Sequence, residues 1–243
     1  MSTNSTVTGR EPAFEQVDSG EPGVERSVAS TAPSVKTQGI VRGLEAFLLA
    51  VAIVFLALHF LHLKADFPNH FFWRDWAKYT DEGWYGAAAI RFYQLGHWYL
   101  PGDFNPGIAL PVWPVLEAVL FRVTGVSLVA ARALTVGVFG LILVLSYRLM
   151  WRWTGAQVFS DPAEEFAGVR GWSLAPAMMV LLLATSPFFY AFTRLAITEP
   201  LLILLMVAEL LAATEAGEAA LQAEAAGSWD LRMVFWGAVL GAL

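Results

Sequence analysis

Two adjacent carboxylates, Asp81 and Glu82, stand in the stretch Tyr79-Thr80-Asp81-Glu82-Gly83-Trp84-Tyr85-Gly86, among aromatic residues of the kind that collect where lipid meets water. A carboxylate within hydrogen-bond reach of a hydroxyl can take its proton as that oxygen attacks, so the pair offers a general base. Neighbouring residues of a helix point about 100° apart, so one of the two faces a given ligand, and Asp81, at the edge of the expected helix, is the choice. The plainer alternative is that both simply favour a helix N-terminus, by capping and by the helix dipole. Arg132 and Arg194 carry planar guanidinium forks suited to clamping a phosphate. Near the ends of apolar stretches, the default for such residues is to snorkel toward the interface. Glu199, just before Pro200 at the mouth of an apolar run, either complements a helix N-terminus or marks a site.

The elements that must position these groups belong to a membrane. Of 243 residues, 57% are hydrophobic, and the mean hydropathy is +0.55, beyond an ordinary soluble domain. The expectation is an all-α polytopic membrane protein. The absence of cysteine removes disulfides, thiolate catalysis and Cys-ligated metals, and the four histidines are scattered without metal-ligand spacing. The net charge of -6 says little in such a protein, and no basic run suggests a nucleic-acid partner.

Residues 1–40, rich in Ser, Thr, Glu, Pro and Gly, read as a disordered tail without a signal-peptide core. Residues 41–243 form the membrane module. Leu44 to Leu63 is long enough to span, and Lys36 and Arg42 before it place the tail in the cytoplasm by the positive-inside rule. Residues 64–126 become an external loop. Within it Thr80 or Asp81 caps a helix running to about Leu95, stopped by Gly96. Gly107 to Val123, with Pro111, Pro114 and Glu117, reads as an interfacial helix rather than a span.

Leu128 to about Met150 is then the second span, with Arg148 and Arg152 at its inner end and Arg132 near its outer end. A cytoplasmic loop from Trp151 to Gly171 leads to a third span at Trp172 to Ala191. An external turn holds Arg194 and Glu199, and Leu201 to Ala213 is the fourth span, prolonged as a helix through Thr214 to Trp229. Leu231 to Leu243 begins a fifth span and stops after 13 residues, from which the chain is expected to continue. This topology brings Asp81, Glu82, Arg132, Arg194 and Glu199 to one side of the membrane. Trp73, Trp76, Trp84, Tyr85, Trp98 and Tyr99 read as an interfacial aromatic belt, some able to stack on a sugar ring.

The blocks Asp81-Glu82-Gly83-Trp84-Tyr85 with Ala87 to Ala89, Asn105-Pro106-Gly107, Thr124-Gly125-Val126-Ser127, Ala131-Arg132-Ala133-Leu134 and Ser186-Pro187 precede Arg194-Leu195-Ala196-Ile197-Thr198-Glu199-Pro200-Leu201. In order and spacing they resemble the GT-C glycosyltransferases, in particular the family 39 group of dolichyl-phosphate-mannose-protein mannosyltransferases and aminoarabinose transferases. The likeness runs from about Leu44 to Leu243 and corresponds to the first part of such enzymes. Glu199 stands where related sequences commonly have Asp.

The resemblance implies a GT-C-type helix bundle in the plasma (inner) membrane, with interfacial helices in its first external loop. Its activity would be inverting transfer of a sugar from a polyprenyl-phosphate donor to a hydroxyl-bearing acceptor on the outer face. By it, Asp81 is the base, Arg132 or Arg194 stabilises the departing lipid phosphate, and Glu82, Tyr85 and Glu199 contact substrate. A divalent metal is compatible with the resemblance, but no ligand spacing claims one. The competing readings are a transporter or flippase for an anionic lipid-linked substrate, and a non-catalytic protein that binds the lipid-linked sugar. The spans lack the paired interruptions and internal symmetry that a transporter of inverted-repeat design would show.

Overall fold

Where backbone polar groups have no water to bond, a helix satisfies them locally, and the apolar stretches of this chain take that solution. The computed structural model describes residues 35–65, 77–102, 111–158, 173–227 and 231–242, all within the unit Pro33–Leu243. Among the described residues every regular element is a helix: α1 (Val35–His59), α2 (Ala77–Leu95), α3 (Val112–Thr124), α4 (Leu128–Val158), α5 (Ala175–Thr185), α6 (Pro187–Phe192), α7 (Glu199–Ala226) and α8 (Leu231–Ala242). The expected disordered tail falls largely, and the Trp151 to Gly171 loop partly, outside the described residues, as do Trp73, Trp76 and Asn105 to Gly107.

Three stretches are long and apolar enough to cross a membrane: Gly39–His59, Leu128–Thr154 and Glu199–Ala226. Their apolar side chains do not all find protein partners. Phe47, Ile53 and Val54 of α1, Leu141 and Val144 of α4 and Met206 of α7 are all more than half exposed. Apolar surface on this scale needs lipid rather than water against it. The chain is an all-α membrane protein.

The core sits around α4, which packs on α1, α3, α5 and α7, while α2 lies on α3 and α8 on α7. Phe139 and Ile142 of α4 pack with Ala52 of α1, Trp113 of α3, Val180 of α5 and Leu201 of α7. A second cluster, Ala89, Ala118, Phe121, Ala131 and Ala196, joins α2, α3 and α4 to the turn before α7. Its four alanines let backbones approach closely, as small residues do between membrane helices. At the far end of α4, Glu215 of α7 is buried and accepts from Arg148 and Arg152, and Arg152 also bonds Glu218 at 2.6 Å. Arg132 and Arg148 are 16 residues apart in α4, roughly 24 Å of helix, so charged groups mark both ends of an apolar interior.

Several boundaries differ from the sequence reading. The first helix ends at His59, not Leu63, and the chain turns through Phe60 to Ala65, with His62 at a φ of 54°. The helix α2 begins at Ala77, so Asp81 and Glu82 lie in its second turn and do not cap it. Its stop is as expected: Gly96 takes a φ of 77° and donates its N–H to the Phe92 carbonyl at 3.1 Å. The helix α3 has 13 residues, roughly 20 Å, short of the hydrocarbon thickness. The expected third span is broken: Ser186 is extended (φ -64°, ψ 123°), because a residue before proline avoids the helical region. Pro187 then opens α6, where its missing N–H costs nothing. The fourth span and its extension form one continuous helix, α7, closed by Gly227 in the left-handed conformation.

Candidate functional site

The turn that follows α1, Phe60 to Ala65, carries backbone carbonyls that must find donors outside a regular element. Two buried arginines meet it. Arg132, from the first turn and a half of α4, donates through Nη1 to the carbonyls of Leu63 (2.7 Å) and Ala65 (3.2 Å). Arg194, from the turn between α6 and α7, donates through Nη2 to the carbonyls of Leu61 (2.5 Å) and His62 (3.0 Å). Its Nη1 donates to the Tyr190 hydroxyl, and its guanidinium lies over the Tyr190 ring, 4.7 Å from the centroid.

The rest of Arg132 closes on Glu82. Nε and Nη2 each donate to one carboxylate oxygen, both at 2.7 Å, and Glu82 Oε1 also accepts the Ala196 N–H at 2.7 Å. Arg132 is 1% exposed and Glu82 5%. Burying two charges is tolerable only when geometry is good and the remaining polar atoms are bonded, which this fork provides. One pair thereby fastens α2, α4, the end of α1 and the turn before α7.

Asp81, one 100° step around α2 from the buried Glu82, is exposed. It lines a cavity of about 230 Å³ together with Glu199 and the side chains of Phe188, Phe189, Phe192 and Ile197. Glu199, exposed at the start of α7, accepts a hydrogen bond from the Tyr85 hydroxyl at 3.2 Å. Burial, then the Glu199 charge and that bond, then the Asp81 charge, push the Tyr85 phenol above its usual range. The break at Ser186 is what turns the α6 phenylalanines into this wall. Two carboxylates and a phenol can accept and relay hydrogen bonds from hydroxyls, and the phenylalanines offer faces against which the C–H side of a ring can lie.

The sequence-predicted residues therefore divide. Asp81 and Glu199 meet from α2 and α7 at the cavity, Tyr85 donates to Glu199, and Glu82 also lines the cavity while held by Arg132. The expectation that Arg132 and Arg194 are placed to clamp a phosphate is corrected: both are buried against the turn after α1, and among the described residues no arginine or lysine lines the cavity. The physical reason is the pull of unsatisfied carbonyls and of a buried carboxylate on any nearby guanidinium. The reading of Asp81 as a helix cap is likewise replaced, since α2 starts four residues earlier. No group of three or more His, Asp or Glu placed to hold a metal occurs among the described residues.

Sequence reasoning missed the phenylalanine wall and Glu117, which is buried in α3 with an unpartnered oxygen. The signal for Glu117 is a lone carboxylate amid the apolar stretch Val112 to Val123. Trp84 and Tyr99 of the aromatic belt are exposed, whereas Trp98 is stacked on Phe92 at 4.1 Å. Comparison of the chain with protein-family models, with curated proteins and with solved structures finds no match.

Proposed function

We propose that the chain carries the acceptor-activating corner of a membrane glycosyltransferase that uses a polyprenyl-phosphate-linked sugar on the outer face of the membrane. The observation that carries this reading is the exposed Asp81 carboxylate at a cavity with a second carboxylate, a phenol and an aromatic wall, at one end of an apolar helix bundle. Asp81 takes the proton of the acceptor hydroxyl. The acceptor oxygen forms its bond to the anomeric carbon as the bond from that carbon to the phosphate oxygen breaks, with inversion, and the lipid phosphate leaves with the electron pair. Glu199 and Tyr85 orient sugar hydroxyls. Glu82 and Arg132 hold the second turn of α2, and so Asp81, in place.

A second reading is supported by the engagement of the two arginines. Arg132 and Arg194 are engaged with Glu82, Tyr190 and the carbonyls of the turn after α1, not offered to a phosphate. This favours a protein that binds the lipid-linked sugar without transferring it. One variant separates the two in reconstituted membranes given polyprenyl-phosphate sugars and hydroxyl acceptors. Asp81→Asn keeps shape and removes the base, so turnover falls by at least ~10²-fold while donor binding persists. Turnover unchanged in that variant would remove Asp81 from the chemistry, and donor binding without transfer by the parent chain would select the binding reading.

A further inference from the structure

Glu117 has no part in the reading above, yet it is 1% exposed and its Oε2 has no hydrogen-bond partner. It sits at the seam between α3 and α2. Gly86 of α2 comes so near that a Cβ there would lie 3.6 Å from Glu117 Oε2 and 3.8 Å from Oε1. Gly86 is four residues beyond Glu82, on the same face of α2.

Among the described residues, the charged groups around this seam do not neutralise Glu117 as an anion. From α2 comes Glu82, of the same sign. From α4 comes Arg132, whose guanidinium is bonded to Glu82 and to the Leu63 and Ala65 carbonyls. Arg91 stands further along α2, and Arg122, on α3 itself, is exposed and lies over the Phe92 ring at 5.6 Å. An ionised carboxyl here would be both desolvated and repelled, so the group keeps its proton instead. In accord, burial raises the Glu117 pKa to about 8, with the Trp113 indole working the other way and the Glu82 charge adding to the rise.

We infer that Glu117 is a positioning residue for the Asp81 carboxylate: packed beneath Gly86 as an uncharged acid it seats α2 on α3, and losing its proton loosens the helix that carries Asp81. The consequence for catalysis rests on the proposed role of Asp81, whereas the seating of α2 is a property of the seam.

The test uses the full chain in lipid nanodiscs. Hydrogen exchange of the α2 amides, corrected for intrinsic rates, is compared at about pH 5.5 and about pH 7.5, between the exposed and buried pKa values of a glutamate. In the parent chain α2 protection falls by up to about tenfold per pH unit over this window, while α4 is unaffected. In Glu117→Gln, which cannot ionise, the fall disappears. Infrared spectra of the parent chain show a protonated carboxyl band lost with a midpoint of about 8, and the variant lacks it. The same pH dependence of α2 exchange in parent and variant overturns the inference, as does the absence of any carboxyl band that the variant removes. A chain without transfer activity would end the enzyme reading but not the seat, which exchange decides alone. Transfer with pH-independent α2 exchange would end the seat and leave the enzyme reading standing.

Discussion

At the scale of single residues, the Glu82–Arg132 fork is the most consequential contact at the Asp81 end, because both charges are buried and every guanidinium nitrogen donates either to Glu82 or to the turn after α1. Glu82→Ala leaves Arg132 buried beside carbonyls without its anion, which should cost about 3–5 kcal/mol. Replacing both partners with apolar residues of similar volume should recover only part of that loss, because the Leu63 and Ala65 carbonyls and the Ala196 N–H lose their partners. Thermal unfolding of the single and double variants in detergent measures both, and a single variant as stable as the parent would show the fork to be dispensable. Glu117 adds a pH dependence whose sign follows from its raised pKa. The folded protein holds a proton there that the unfolded chain releases at about 4.5, so this contribution to stability is complete below that value and is lost as pH rises through about 8. The unfolding temperature should fall across that window in the parent, and Glu117→Gln should flatten the fall.

At the scale of elements, the break between α5 and α6 decides whether the cavity exists. Ser186 is extended because Pro187 follows it, and the chain redirects there so that Phe188, Phe189 and Phe192 reach the cavity. Pro187→Ala removes the constraint on Ser186 and allows α5 to run on into α6. Hydrogen exchange of the segment 183–192 should then slow, and Asp81-dependent transfer or sugar binding should weaken with it. Faster or unchanged exchange would mean that the break is held by packing, not by the proline. The helix α2 illustrates the complementary case. Its stop at Gly96 follows from a glycine that can adopt a positive φ, a local property. Its start at Ala77 does not, because what holds the first two turns is the reach of Glu82 to Arg132, 50 residues away.

At the scale of the whole molecule, Ala65, bonded to Arg132, and Leu221, beyond Glu215 with its bond to Arg148, belong to opposite ends of the helix bundle. The chain contains no cysteine, so Ala65→Cys and Leu221→Cys each give a single thiol. An impermeant thiol reagent applied to intact cells should label one and spare the other, with Ala65→Cys the labelled one if the Asp81 end lies outside. Labelling of both, or of neither, would break the bundle as described.

The sequence by itself determined that the chain is helical and membrane-embedded, where α2 stops, and that the Gly107 to Val123 stretch carries a short helix. These are consequences of local hydropathy, of apolar run length and of glycine's freedom at positive φ, none of which needs a distant partner. It also offers Asp81 and Glu199, which line one cavity, and Tyr85, whose hydroxyl donates to Glu199. The tertiary structure alone decided what the charged residues face. A guanidinium goes to whichever acceptors are nearest and least satisfied. For Arg132 and Arg194 these are the orphan carbonyls after α1 and the buried carboxylate of Glu82. The same holds for Glu117: its type is plain in the sequence, but its proton is retained only because folding encloses it beside Glu82, with the neighbouring cation already engaged.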